Sequence, residues 1–319
     1  MKKIVVTGSA GFIFSNFIRK VITEELPYKF ISVDAVLADY NLCNIFEHPK
    51  HKFYMGDIAD VKFIDNVFNV ERPDFVINGA AESFVDSSIT SAIPFIHSNV
   101  MGAQVLIDAS VKYGIEKFLQ VSTDEIYGHL ISIKDKSWTE DSVPAPRNPY
   151  SASKYAAEIL LHAASETHKL KYNITRCSNN FGAFQPPRNL VPKIITSILQ
   201  NKPIPIHGNG LNIREWLYAN DHCDAIMTVL EKGKENEIYN VGSGVELSNL
   251  DMIEKISFAL DKDERNINFI EDRKGHDFRY SVNCDKLKVL GWNPKRSFDQ
   301  SLIETCKWYI DNYEWYQSM

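Results

Sequence analysis

Five residues in two short runs carry the groups for chemistry: Thr123, Asp124 and Glu125 in Ser-Thr-Asp-Glu-Ile-Tyr-Gly, then Tyr150 and Lys154 in Pro-Tyr-Ser-Ala-Ser-Lys. A tyrosine and a lysine four residues apart share one face of a helix. An ammonium beside a phenol lowers a pKa ordinarily near about 10, which makes Tyr150 a base for a hydroxyl whose carbon gives up hydride. Two adjacent carboxyl groups serve as acid and base when a buried site separates their pKa values. Together the five residues imply hydride transfer combined with the removal of water.

Such groups need a scaffold, and the chain alternates strand and helix patterns. Short β-branched or aromatic runs at Lys3–Thr7, Phe30–Val33, Lys52–Met55, Phe75–Asn78, Phe118–Val121 and Asn173–Arg176 read as buried parallel strands. Helical spacing follows Gly11 and recurs at Val61–Asn69, Ala103–Lys112 and Ala156–Thr167. This alternation predicts an α/β fold, a doubly wound parallel sheet of the Rossmann type over residues 1–177. Beyond 177 the turn-rich stretches Phe184-Gln-Pro-Pro187, Lys202-Pro-Ile-Pro205 and His207-Gly-Asn-Gly210 break the alternation. Residues 178–319 therefore read mainly as a smaller substrate-binding lobe. Residues 238–250 are expected to return to the first domain, so the two are interleaved.

The first strand runs into Thr7-Gly-Ser-Ala-Gly-Phe-Ile-Phe14. Gly8 and Gly11 allow a tight turn and close approach of a pyrophosphate, and Phe12 and Ile13 open the helix whose N-terminus meets its charge. Asp34 ends the second strand where a carboxylate binds adenosine ribose hydroxyls and repels a 2′-phosphate, which favours NAD over NADP. Asp57 and Ile58, just after the third strand, are candidates to meet the adenine.

Composition excludes several other roles. A net charge of −6 over 319 residues gives no reason to expect nucleic acid or an anionic membrane as a partner. The five cysteines, Cys43, Cys177, Cys223, Cys284 and Cys306, are odd in number and never spaced Cys-x-x-Cys. Neither a metal site nor a disulfide framework is expected, and a reducing, cytoplasmic compartment is. No apolar run approaches the roughly 18 residues of a membrane span, and Thr7-Gly-Ser cuts the N-terminal run short of a signal peptide.

Six runs give the chain a family resemblance: Ala80-Ala81-Glu82-Ser83, Ser122–Gly128, Pro149–Lys154, Cys177-Ser-Asn-Asn-Phe-Gly182, Arg214-Glu-Trp-Leu-Tyr218 and Asp272-Arg-Lys-Gly-His-Asp277. Over nearly its whole length the chain resembles the extended short-chain dehydrogenases/reductases, and among them the nucleoside-diphosphate-glucose 4,6-dehydratases of the dTDP-glucose type. That resemblance implies bound NAD, a nucleotide-sugar substrate and a homodimer packed through the helices around Ala103–Lys112 and Ala156–Thr167. It implies that Tyr150 takes the C4 hydroxyl proton, with Thr123 on the C4 oxygen and Lys154 tuning Tyr150. Glu125 is then the base at C5 and Asp124 the acid at the C6 hydroxyl. It adds Ala80, Ala81 and Cys177 to the cofactor site. It assigns substrate contacts to Ser83, Asn179, Arg188, Asn189, Leu190, Pro205, His207, Arg214, Asn249, Arg273 and His276, with Arg214 and Arg273 as diphosphate ligands through their guanidinium forks.

The chain departs from the bacterial pattern at several positions. Phe14 stands where the third glycine of the turn is usual, Phe84 and Ser87 replace a His and an Arg, and His207 replaces a tyrosine near the thymine. The last difference and the closing Trp308-Tyr309 and Glu314-Trp-Tyr316 resemble plant dehydratases that use UDP-glucose. The nucleobase is left open between thymine and uracil, with a lean to uracil. A UDP-sugar 4-epimerase or decarboxylase would share Tyr150, Lys154 and NAD but not both carboxyl groups, and an idle NAD-binding regulator would need none of the five.

Overall fold

Seven parallel strands form the central sheet of the computed structural model, which describes residues 1–36, 39–262, 266–272 and 276–317. Twelve strands occur among these residues: β1 (Lys2–Thr7), β2 (Tyr28–Asp34), β3 (His51–Met55), β4 (Phe75–Asn78), β5 (Lys117–Thr123), β6 (Tyr172–Cys177), β7 (Asn179–Phe181), β8 (Ile204–His207), β9 (Ile213–Tyr218), β10 (Glu237–Val241), β11 (Glu246–Ser248) and β12 (Ile267–Ile270). The central order is β10-β6-β5-β4-β1-β2-β3. The order reverses between β1 and β4, so the crevice at the carboxyl ends of the strands is the place for a ligand. Thr7, Asp34, Asn78, Thr123 and Cys177 all stand at that edge, with Thr7 opposite Asn78 and Thr123 opposite Cys177 in register.

Helices cover both faces because the strands are apolar on both sides. In chain order they are α1 (Phe12–Thr23), α2 (Val61–Glu71), α3 (Val85–Thr90), the single turn α4 (Ile93–Phe95), α5 (Ala103–Tyr113), α6 (Pro149–His168), α7 (Leu190–Leu199), α8 (Ala219–Lys232), α9 (Asn249–Ala259), α10 (Asp285–Val289), α11 (Phe298–Asp311) and α12 (Tyr313–Gln317). Phe17, Val21, Ile226 and Val229 of α1 and α8 pack on one face. Val67, Leu106 and Leu161 of α2, α5 and α6 pack on the other. The smaller lobe has its own core, in which Ile194, Ile253 and Leu302 join α7, α9 and α11 over Trp216 and Tyr218. Its strands form a sheet ordered β11-β9-β7 and a β12-β8 pair. Both α8 and β10 lie with the first core, β10 pairing with β6 at the sheet edge.

The longest departure from the sequence pattern concerns the site. The helical stretch read at Ala156–Thr167 is part of a longer helix that begins at Pro149 and so takes in the Tyr150 and Lys154 pair. Asn148 caps it, accepting from the Ser151 amide while the Ser151 hydroxyl pairs back to the Asn148 backbone, and proline at the first helical position suits the start. Tyr150 therefore sits in the first turn, with Lys154 one turn on. Between α4 and α5 the chain makes a π-helical segment, Ile96–Gly102, which the sequence pattern did not show.

Candidate active site

Strand β5 delivers the first three groups. It ends at Thr123, whose hydroxyl accepts from the Glu125 amide at 3.3 Å and so starts a short 3₁₀ turn, Asp124–Tyr127. Asp124 is 2 % exposed, and its Oδ2 has no hydrogen-bond partner among the described residues. Burial, then the charges of Glu125 and Glu215, hold its carboxyl well above the ordinary carboxylate range. Glu125 is partly exposed and accepts from Asn148 Nδ2 at 3.3 Å. Two neighbouring carboxyl groups thus have unlike surroundings, one sealed and lacking a second partner, the other open and hydrogen-bonded. This is the asymmetry that an acid and a base require.

The α6 pair meets them. The Tyr150 phenol lies close to Thr123 and feels Glu125, Cys177 and Asp124. Lys154 is buried and donates from Nζ to the Val121 carbonyl at 2.7 Å, its pKa lowered to about 8 by burial. Here the structure corrects the expectation from spacing: the Tyr150 phenol is pushed well above 10, first by burial and then by Glu125 and Cys177. The ammonium lies against a strand carbonyl, while the near charge on Tyr150 is a carboxylate. A phenol that holds its proton so tightly can act as a base only once that proton has been given up.

The cofactor end fits a dinucleotide. Gly8 has φ +72°, and a Cβ there would lie 2.8 Å from the Ala80 backbone, so only glycine leaves the cradle open. Ser9 Oγ is buried in this turn without a partner among the described residues, a donor of the kind a pyrophosphate oxygen takes. Asp34 accepts from the Ala10 amide at 2.9 Å and from the Val36 amide at 2.8 Å, fixing the loop around the ribose position. Asp57 binds the Ala59 amide and His97 Nε2, both at 2.8 Å, while Ile58 is buried against Gly102. Cys177 is buried with its thiol raised to about 12 and directed to the Ser122 carbonyl, which makes it packing against the site and not a nucleophile.

Phe14 has a physical account. A Cβ on Gly79 would fall 1.8 Å from the Phe14 ring, so the glycine missing at 14 is matched by one at the end of β4. The ring, 3 % exposed, fills the space that Gly79 leaves and keeps α1 close to the sheet.

The substrate positions divide. Arg214 donates to the carbonyls of Ile213 at 2.8 Å and Asp277 at 3.0 Å, lies 4.5 Å from the Tyr280 ring centre, and its charge reaches Asp124. Asn179 Oδ1 is buried without a partner among the described residues, and Asn249 is buried at the first turn of α9. Ser83 and Arg188 are exposed on neighbouring loops, Arg188 lying 4.9 Å from the ring centre of Phe84. Asn189 caps α7, which Leu190 opens. Pro205 and His207 are on β8, with His207 Nδ1 3.0 Å from the Glu271 carbonyl oxygen. His276 is 2.6 Å from Asp272, and Arg273 lies outside the described residues.

Two positioning residues escaped the sequence reading. Asn99, in the π-helical segment, donates to the Glu82 carbonyl at 2.9 Å and to Ser153 Oγ at 2.8 Å and accepts from the Glu82 amide, tying the cofactor loop to α6. Glu215, fully buried, accepts from the Gly244 and Val282 amides at 2.8 and 2.9 Å. The clue for Glu215 was its place inside an apolar strand, where an acid is kept only with partners. Asn99 left no such clue. Among the described residues no cluster of metal-ligating side chains occurs, and no helix is long and apolar enough to cross a membrane.

Comparison with known proteins agrees with this geometry. Residues 4–242 match the model of the NAD dependent epimerase/dehydratase family. The chain is 45% identical to the low-salt glycan biosynthesis protein Agl12 of Haloferax volcanii, over 98% of this chain and 99% of that one. It is 39% identical to a dTDP-glucose 4,6-dehydratase of Streptomyces niveus, over 99% and 95%. The crystal structure of DesIV, a dTDP-glucose 4,6-dehydratase from Streptomyces venezuelae with NAD and TYD bound, superposes with a TM-score of 0.93 at 37% identity, covering 99% of each chain. The chain belongs to the NAD dependent epimerase/dehydratase family, an NAD-dependent enzyme whose full-length relatives include dTDP-glucose 4,6-dehydratases.

Proposed function

We propose that this enzyme is a nucleoside-diphosphate-glucose 4,6-dehydratase, converting UDP-glucose or dTDP-glucose to the 4-keto-6-deoxy sugar nucleotide with release of one water. The observation that carries this reading is the unlike pair at the end of β5: a sealed Asp124, whose hold on its proton burial strengthens, beside an open, hydrogen-bonded Glu125. A simple epimerase needs no second acid.

Gly8, Ser9, Gly11 and Asp34 would hold NAD at its pyrophosphate and adenosine ribose, with Phe12, Ile13, Asp57, Ile58, Ala80, Ala81 and Cys177 around it. When bound, NAD supplies a hydride acceptor for substrate C4 and later the hydride for C6. Tyr150, in its deprotonated form, takes the C4 hydroxyl proton as hydride leaves that carbon, while Thr123 holds the C4 oxygen. The ketone acidifies C5–H, Glu125 removes that proton, and Asp124 gives its own to the C6 hydroxyl, which departs as water. Glu125 then returns a proton to C5. Arg214, whose charge offsets part of the rise at Asp124, would meet the diphosphate, and Ser83, Asn179, Arg188, Asn189, Leu190, Pro205, His207, Asn249 and His276 would line the sugar nucleotide.

We also infer a homodimer. Ile93, Ile96 and Met101 just before α5 and Ile159 on α6 are all about half exposed or more, a face that a second copy would cover. The free cysteines, four of them buried, suit the cytoplasm.

The test is incubation with each sugar nucleotide, followed by mass spectrometry and absorbance of the reduced cofactor. Wild type loses one water from at least one of them. Glu125→Gln oxidises C4 but eliminates about 10²- to 10⁴-fold more slowly. Epimerised sugar without water loss overturns the reading.

A further inference from the structure

The hydride-transfer residues and the proton-transfer residues lie on different elements, α6 and the 3₁₀ turn after β5. The two meet directly where Asn148 donates to Glu125 at 3.3 Å and where Tyr155 of α6 packs against the cluster that holds Ile126 and Tyr127, contacts that leave their relative angle to apolar packing and one long hydrogen bond. Beneath them a single side chain from a third element grips both. Arg176, on β6 beside Cys177, donates from Nη2 to Glu158 Oε2 at 2.6 Å and from Nε to both Glu158 oxygens at 3.2 and 3.3 Å. Its Nη1 donates to the Tyr127 hydroxyl at 2.8 Å, and that hydroxyl donates to Asn240 Oδ1, also at 2.8 Å. Glu158 lies one helical turn beyond Lys154, and Tyr127 closes the turn that Asp124 opens.

We propose that Arg176 is a positioning residue that fixes the proton-transfer pair relative to the hydride-transfer pair. Arg176 and Glu158 are each 3 % exposed and Tyr127 is 1 % exposed, and no atom of the three lacks a partner. A buried ion pair of this kind is generally not a net source of stability, since well-packed apolar groups of equal volume do as well or better. What apolar groups cannot supply is direction. A planar guanidinium with a two-pronged hold on Glu158 and a third bond to Tyr127 sets one angle and one distance between α6 and the 3₁₀ turn. Proton transfer tolerates heavy-atom separations of only about 2.6–3.2 Å. Because α6 also carries the groups that oxidise C4, a slip between the elements spoils elimination and leaves oxidation in place.

This inference rests on the dehydratase reading, and the experiment separates the two. Wild type, Arg176→Met/Glu158→Leu, Arg176→Lys and Tyr127→Phe are compared for thermal midpoint, for NAD binding, for single-turnover formation of reduced cofactor and for water loss. The double variant is expected to hold its thermal midpoint within a few degrees and its C4 oxidation within a few-fold. Its elimination should fall roughly 10²-fold, as for an ångström-scale misplacement, so that reduced cofactor accumulates. Tyr127→Phe, which removes one hydroxyl and keeps the ring, should lower the ratio of elimination to oxidation several-fold even if the double variant fails to fold. Arg176→Lys should recover part of that ratio. A wild type that oxidises C4 and releases no water sinks the dehydratase reading, and this proposal with it. An unchanged ratio in Tyr127→Phe and in whichever Arg176 variants fold, in an enzyme that does lose water, sinks the proposal alone.

Discussion

Replacing Asp124 by Asn tests whether the acid of the site is stored as a neutral carboxyl group. Burial, Glu125 and Glu215 raise the native pKa of Asp124, so over a range above about 3.9 the folded chain holds a proton that the unfolded chain has released. The stability contributed by that proton is complete below about pH 3.9 and declines as pH rises toward the native pKa. Within that window the slope is about 1.4 kcal/mol per pH unit for one proton. At about 2.1 cal/mol/K per residue, 319 residues unfold with an entropy near 0.67 kcal/mol/K, so the slope corresponds to about 2 °C per pH unit. Asn has nearly the same shape and does not titrate. Thermal midpoints of wild type and Asp124→Asn, both saturated with NAD, should therefore diverge by about 2 °C per unit from pH 5 upward, in favour of the variant. The absolute offset depends on how Asn packs against the buried Oδ2 site, but the slope does not. Parallel midpoint curves between pH 5 and 8 would show that Asp124 is ionised in the native state and refute the assignment of the acid.

Further outcomes follow from individual contacts. Gly8→Ala adds a Cβ 2.8 Å from the Ala80 backbone at φ +72°, so it should weaken NAD binding by at least tenfold, read by titrating the cofactor against protein fluorescence. Gly79→Ala drives a methyl into the Phe14 ring and should cost about 1–3 kcal/mol in denaturant unfolding. Phe14→Ala should cost about 3–5 kcal/mol, and the double variant should cost clearly less than the sum. Trp315 donates from Nε1 to Asn44 Oδ1 at 3.0 Å, and Asn44 in turn donates to the Ala10 carbonyl at 2.9 Å. Trp315→Phe should accordingly speed NAD release by about 2- to 10-fold, measured by competitive displacement, with little change in turnover at saturating cofactor.

The strands and the cofactor turn were legible because their signal is local. Ile4-Val-Val6 and Phe118-Leu-Gln-Val121 announce buried strands, and Thr7–Phe14 announces the turn. The five reactive residues were legible for the same reason, each within a short run. Long-range complementarity was not. Nothing near Phe14 says that Gly79 makes room for it, and Arg176 and Glu158 look in sequence like ordinary surface charges on a strand and a helix. The π-helical stretch around Asn99 meets α6, Asn99 donating to Ser153, and no period in the sequence records that contact.

Local reading also mistook the electrostatics of Tyr150, and the reason bears on how this family divides its chemistry. Spacing places Lys154 near Tyr150, and spacing alone implies a lowered phenol. The fold instead places Glu125 near both Tyr150 and Asp124, and this one negative charge raises the affinity of each for its proton. For Asp124 the effect is useful, because an acid must still hold its proton when the C6 oxygen leaves. For Tyr150 it is a cost, because a base must release it. A chain that only oxidises and reduces C4 gains nothing from a carboxylate at position 125 and avoids that cost. A chain that must also expel water cannot avoid it. Burial raises the phenol first, in either kind of enzyme; the further rise from Glu125 is what a dehydratase should show and an epimerase should not, and Glu125→Gln should lower the pH at which C4 oxidation reaches its plateau while it slows elimination. If oxidation in Glu125→Gln keeps the wild-type pH profile, Glu125 does not burden Tyr150 and the coupling between the two halves of the site is wrong.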